Sequence, residues 1–181
     1  SKNFFYLPNQ YWIHKNHYTV LRALILYKKK FNDDILIVSS GSRNDYRNAE
    51  YFDDLMKFIE DKNIKKNYLY LGLIPGEDVM ALMRHSIALI NPSKFEGRSS
   101  TVEQGISLGK KIILSDIPIH KEQNPKRAIY FEADNAEMLS EILKKTNDSF
   151  NVLDEENFIK PAYEENEIRL KNYINDYINM I

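Results

Sequence analysis

Residues 91–109 read NPSKFEGRSSTVEQGISLG, and the fold turns on how this stretch divides. Immediately before it, residues 87–90 (IALI) form a short apolar run of the kind that makes a buried strand. Ser99, Ser100 and Thr101 supply capping hydroxyls ahead of Val102, Ile106 and Leu108. The division is therefore a strand, a loop carrying Glu96 and Gly97, and a helix beginning near Ser99. A helix start presents unpaired N–H groups and the positive end of the macrodipole, which suits a phosphate or diphosphate. Glu96 in the loop and Glu103 in the first helical turns bracket that point. Carboxylates beside a phosphate site repel the phosphate, so they read as acceptors for neutral hydroxyls. Sugar and ribose hydroxyls are the obvious candidates.

Outward from this stretch, strands and helices alternate. Apolar runs predict strands at residues 4–7, 34–40, 68–71, 111–114 and 129–131 in addition to 87–90. Helical periodicity predicts helices at 16–30, 50–62, 77–85 and 136–145; Phe52, Leu55, Met56 and Ile59 give the clearest apolar face. The segment around Pro118 and Pro125 reads as a loop. Such alternation predicts a Rossmann-like, three-layer α/β/α fold with a parallel sheet of about six strands. Ligands of such sheets bind beyond the carboxyl ends of the strands, which directs attention to the loops after Leu7, Ser40, Leu71, Ile90 and Leu114. The tail differs: residues 151–156 are polar, and Pro161 is placed to open a final helix from its first position. In that helix Leu170, Tyr173, Ile174, Tyr177, Ile178 and Ile181 form an apolar stripe, which either packs on this domain's core or meets another domain.

Composition excludes several classes. A net charge of −1 gives no electrostatic case for nucleic acid. The absence of cysteine removes disulfides, thiolate metal sites and cysteine nucleophiles, and fits a reducing compartment. No apolar run approaches the ~20 residues that span a bilayer. His14 and His17 lack a neighbouring carboxylate cluster, and Asp33–Asp34 reads as a turn, so no metal site is expected. The chain enters a strand almost at once, suggesting the C-terminal piece of something longer.

The run PSKFEG, then Glu103, then SLGKKIILSD and HKEQ, resembles the donor-binding half of the retaining glycosyltransferases of family 4 (group 1). These adopt the GT-B fold of two facing Rossmann-like domains. The resemblance implies a nucleotide-sugar-binding domain at residues 1–150. Residues 151–181 would then be a tail and helix crossing to a missing N-terminal acceptor domain. The family's two glutamates are separated by seven residues, whereas Glu96 and Glu103 are separated by six. By resemblance, Glu96 lies near the donor sugar as a catalytic or hydroxyl-contacting residue, and Glu103 accepts hydrogen bonds from the ribose. Gly97, Ser99, Ser100 and Thr101 would flank the diphosphate, the hydroxyls either capping the helix or binding the anion. The family holds the diphosphate with an Arg and, six residues on, a Lys; Lys15 matches the Lys and Asn9 stands at the Arg position. Arg98 is the first candidate to replace that charge. Gly41 stands where the family has a turn glycine approaching the donor, although an ordinary turn explains it equally. Leu73, Ile74 and Pro75 would line the base pocket.

The resulting expectation is hexose transfer from an NDP-sugar, without a metal or other cofactor, to a saccharide or lipid-linked acceptor bound by the missing domain. The resemblance implies a cytoplasmic enzyme of bacterial polysaccharide or glycolipid assembly, peripheral to the inner face of the membrane at full length. This piece alone would bind donor but turn it over poorly. Two rivals stand beside it: a non-catalytic sugar-nucleotide-binding or scaffolding module acting with a separate acceptor subunit, and a GT-B epimerase of nucleotide sugars.

Overall fold

The computed structural model describes residues 3–179, apart from the side chains of Asp176, Tyr177 and Asn179. The strands are β1 (Phe5–Pro8), β2 (Ile37–Ser40), β3 (Tyr68–Tyr70), β4 (Leu89–Asn91), β5 (Ile112–Ser115) and β6 (Ala128–Phe131). All are parallel, in the order β3-β2-β1-β4-β5-β6. The helices are α1 (His17–Phe31), α2 (Tyr51–Asp61), α3 (Gly76–His85), α4 (Ser100–Ser107), α5 (Pro118–Gln123), α6 (Ala136–Asp148) and α7 (Val152–Asn179). The expected three-layer α/β/α architecture is what forms.

Strand periodicity assigns the two faces. Phe5, Leu7, Ile37, Ile90 and Ile113 point into one core with Leu21, Leu24, Leu55, Ile59, Leu139 and Leu143 of α1, α2 and α6. The alternate residues Tyr6, Val38, Leu89, Ile112 and Leu114 point the other way, onto Met83 of α3, Val102 of α4 and Leu108. Burial of both faces is why the strands read as unbroken apolar runs.

Two expectations are corrected. The segment predicted as loop around Pro118 contains α5, because Pro118 occupies the first helical turn, where its missing N–H costs nothing. Its end is set by Asn124 in the left-handed region at φ 42°. Likewise Pro161 does not open the last helix: α7 begins at Val152 and carries Pro161 inside it. The polar stretch is helical from residue 152 onward because tertiary contacts hold it. Glu155 accepts from Arg127 Nη2 (2.6 Å), Arg127 Nη1 (3.1 Å) and Lys110 Nζ (3.1 Å). The Arg127 guanidinium stacks 3.7 Å from the Phe158 ring centroid. Gly109, at φ 64°, lets the helix backbone touch the end of α4: a Cβ there would lie 2.3 Å from the Phe158 carbonyl oxygen. Beyond this anchor, the stripe residues Leu170, Tyr173, Ile174 and Ile178 are exposed and do not pack on the core. The Tyr177 side chain and Ile181 lie outside the described residues.

Candidate functional site

Strand order reverses between β1 and β4, so the loops after these neighbours part and open a crevice at their carboxyl ends. The loop after β1 carries Asn9 and Lys15, and that after β4 carries Glu96, Gly97 and Arg98 and leads into Ser99, Ser100 and Thr101. Gly41 follows β2. Leu73, Ile74 and Pro75 follow β3, which β2 separates from β1.

The two central loops are clipped together. A short 3-10 turn (Ile13–Lys15) ends at Asn16, whose φ of 56° turns its side chain to donate to the Pro92 carbonyl (3.2 Å) and the Ala133 carbonyl (2.6 Å). The Lys94 N–H donates to the His14 carbonyl at 2.8 Å. This scaffold brings together two residues that are 81 apart in sequence: Lys15 Nζ lies 2.6 Å from Glu96 Oε1. Their side chains are only 12% and 7% exposed, so the pair is largely desolvated. Ser93 Oγ lies 2.8 Å from the same carboxylate oxygen and 2.7 Å from Asn91 Oδ1, its one proton serving either.

The start of α4 is braced from three sides. Ser99 Oγ caps the Val102 N–H (3.4 Å) and accepts from Asn91 Nδ2 (2.8 Å), while Thr101 Oγ1 donates to the Pro8 carbonyl (3.3 Å). Gln123, the last residue of α5, accepts from the Ser99 N–H (3.3 Å) and donates to the Ser99 carbonyl (3.0 Å). The Ser99 and Thr101 hydroxyls are thus committed to protein. Among the described residues, no protein acceptor meets the N–H groups of Ser100 and Thr101, which leaves two anion-seeking donors at the crevice.

Glu103 is enclosed by cations. Oε1 accepts from Arg98 Nη2 (2.8 Å) and Gln123 Nε2 (2.9 Å), and Oε2 from Arg169 Nη2 of α7 (3.2 Å). Partial burial pushes its pKa up, but the Gln123 and Arg169 hydrogen bonds and the Arg98 charge outweigh burial and hold it below the ordinary value.

Asn9 is buried and spends its amide on Asn91 Oδ1 at 3.4 Å. Gly41 is required sterically: at φ 147° a Cβ would lie 2.3 Å from the Asn9 carbonyl oxygen. The close approach it permits is therefore to the β1 loop. Leu73 and Pro75 are exposed apolar residues at the far side of the crevice. His14 and His17 diverge. His17 is fully buried and stacked on Tyr11 (centroids 4.2 Å), whereas His14 lies against Trp12 and Phe95. Among the described residues no group of three His, Cys, Asp or Glu side chains could hold a metal.

Sequence reasoning missed Gln123 and Arg169. Gln123 lies in HKEQ, but in a segment taken for loop, so its reach toward α4 had no frame. Arg169 is 66 residues from Glu103 and carries no local signal. A groove of about 1020 Å³, lined by Phe4, His85, Lys110, Glu155, Ile159 and Tyr163, lies at the opposite, amino ends of the central strands along α7. The chemistry-bearing residues are not there.

A family model described as glycosyl transferases group 1 matches residues 1–164. The chain is 24% identical over 144 residues to the O-antigen chain mannosyltransferase RfbU of Salmonella typhimurium, covering 80% of this chain and 38% of the relative. A glycosyltransferase from Rickettsia africae superimposes with a TM-score of 0.75 at 20% identity, covering 98% of this chain and 47% of that one. A mutant of S. aureus TarM, in complex with fondaparinux, alpha-GlcNAc-glycerol and UDP, gives a TM-score of 0.72 at 18% identity, covering 96% and 35%. The chain thus spans less than half the length of each of these three proteins.

Proposed function

The chain belongs to the group 1 glycosyl transferases, and from that premise we propose that it is the nucleotide-sugar-binding half of a retaining, family 4 GT-B enzyme. The reaction is transfer of a hexose from an NDP-sugar to a saccharide or lipid-linked acceptor. The observation that carries this reading is the desolvated Lys15–Glu96 pair, held at the switch point of the sheet beside the open N–H groups of α4.

In this reading the diphosphate oxygens take the Ser100 and Thr101 N–H groups and the Lys15 ammonium, which stabilises the charge left when the glycosidic bond breaks. Glu96, freed of part of its tie to Lys15, accepts hydroxyls of the sugar. Glu103 accepts the ribose hydroxyls, and Leu73, Ile74 and Pro75 face the base. The acceptor sits on a separate N-terminal domain, to which the exposed half of α7 crosses. No metal is needed, and the pairing supports this: Glu96 is spent on Lys15 and Glu103 on Arg98 and Arg169. No described helix is long and apolar enough to cross a membrane. We place the full-length enzyme in the cytoplasm, peripheral to the membrane's inner face, in bacterial polysaccharide or glycolipid assembly. Calorimetric titration with UDP, GDP and ADP tests the reading. One diphosphate binds, with or without EDTA, and more weakly to Glu103→Ala and Lys15→Ala; no binding of any sinks it.

A second reading, a non-catalytic sugar-nucleotide module serving a separate acceptor subunit, is favoured by one observation. Asn9 brings no charge, and Arg98 is committed to Glu103, so Lys15 is left as the cation facing the diphosphate. Sugar transfer by the full-length enzyme separates the two: turnover supports the first reading, binding without turnover the second.

A further inference from the structure

Glu103 has fewer open acceptor positions than a ribose needs. A carboxylate offers about four lone-pair sites on its two oxygens. Arg98 and Gln123 take two on Oε1, and Arg169 takes one on Oε2. One position is left, on Oε2. A ribose presents two adjacent hydroxyl donors, so one protein donor must leave before both can bind.

The three donors are not equally held. Gln123 is fixed by two further bonds to the Ser99 backbone. Arg98 makes a shorter contact, 2.8 Å, from the loop that immediately precedes α4. Arg169 makes the longest, 3.2 Å, and arrives on α7 from 66 residues away in sequence. Its departure clears Oε2, while Arg98 and Gln123 keep the carboxylate oriented through Oε1.

We infer that Arg169 is a donor-site residue: its guanidinium holds the ribose position on Glu103 until the donor displaces it, so that donor binding unhooks α7 from α4. The inference rests on the reading of Glu103 as the ribose acceptor. It goes beyond the family assignment, because Arg169 lies outside residues 1–164 that the family model matches. The Asn166 side chain, 3.3 Å from Ser107 Oγ, is a second polar tie between α7 and α4 and loosens with it, while Glu165 keeps its 2.7 Å pair with Lys126.

The test is calorimetric titration of the chain, Arg169→Met and Glu103→Gln with UDP, GDP and ADP, and with the 2′-deoxy form of whichever binds. Arg169→Met binds the ribonucleotide more tightly, by about 2- to 5-fold for loss of one exposed ion pair. It leaves the 2′-deoxy form unchanged, because a single hydroxyl fits the open position. Hydrogen exchange of residues 165–172 in the unsubstituted chain speeds up when the ribonucleotide is added. Equal or weaker ribonucleotide binding by Arg169→Met overturns the competition, provided that Glu103→Gln weakens binding. If Glu103→Gln has no effect, or no nucleotide binds, the donor reading itself falls and the inference with it.

Discussion

His17 sits in an environment far from its solution chemistry. It is fully buried, neither ring nitrogen has a hydrogen-bond partner, and burial pushes its pKa down to about 3. The unfolded chain takes up the proton near pH 6.5, so stability is full above that pH and falls through the window from about 6.5 to about 3. Relative to neutral pH, the contribution of this one group drops by about 2 kcal/mol at pH 5. Urea unfolding at both pH values should show that drop in the unsubstituted chain and lose it in His17→Phe, which keeps the stacking on Tyr11. The Lys15–Glu96 pair poses a different question. Removing one partner strands a mostly buried charge, so Lys15→Met or Glu96→Gln should each cost on the order of 3 kcal/mol. The double variant should cost much less than the sum. Chemical denaturation of all four proteins gives the coupling directly, and additive losses would mean that the contact is not formed in solution.

Among the elements, α7 decides most. Its continuity through Pro161 follows from what Glu155, Phe158 and Gly109 do on the body of the domain. Gly109→Ala would set a Cβ against the Phe158 carbonyl and strain a left-handed backbone. We expect a loss of about 2 kcal/mol, together with faster proteolysis within α7 than elsewhere. Glu155 tests the same anchor by pH. Partial burial pushes its carboxyl up, but Arg127 and Lys110 pull it down further, to below the ordinary carboxylate value. Its contribution is thus present above about pH 4.5 and lost as the pH falls through the lower folded value. Glu155→Gln should destabilise the chain at pH 7 by about 1–3 kcal/mol and flatten the acid limb of a thermal-unfolding series. Helix α5 is the smaller case. Pro118 reads as a breaker when neighbouring residues are weighed alone, yet the same proline starts a helix once α5 lies along the end of β5. That placement is what brings Gln123 to Ser99 and Glu103.

At the scale of the molecule, the doubly wound sheet opens a crevice at the carboxyl ends of β1 and β4, where the proposed function seats the donor. A nucleoside diphosphate bound there links to folding, so the midpoint of thermal unfolding should rise with ligand concentration. Saturation at 100 times the dissociation constant adds about 2.7 kcal/mol, a shift that Lys15→Ala should shrink. The sequence alone determined the alternation of strands and helices, the burial of both sheet faces, the helix start at Ser99 and the pair of glutamates beside it. Those features are local: apolar runs, helical periods and capping hydroxyls act over a few residues, so a linear reading can see them. Only the tertiary structure decided that Lys15 meets Glu96, that Gln123 and Arg169 reach Glu103, and that α7 runs unbroken through a proline. These depend on groups far apart in the chain whose meeting is fixed by strand order and helix docking. Long-range desolvated pairing leaves no periodicity in the sequence from which it could be read.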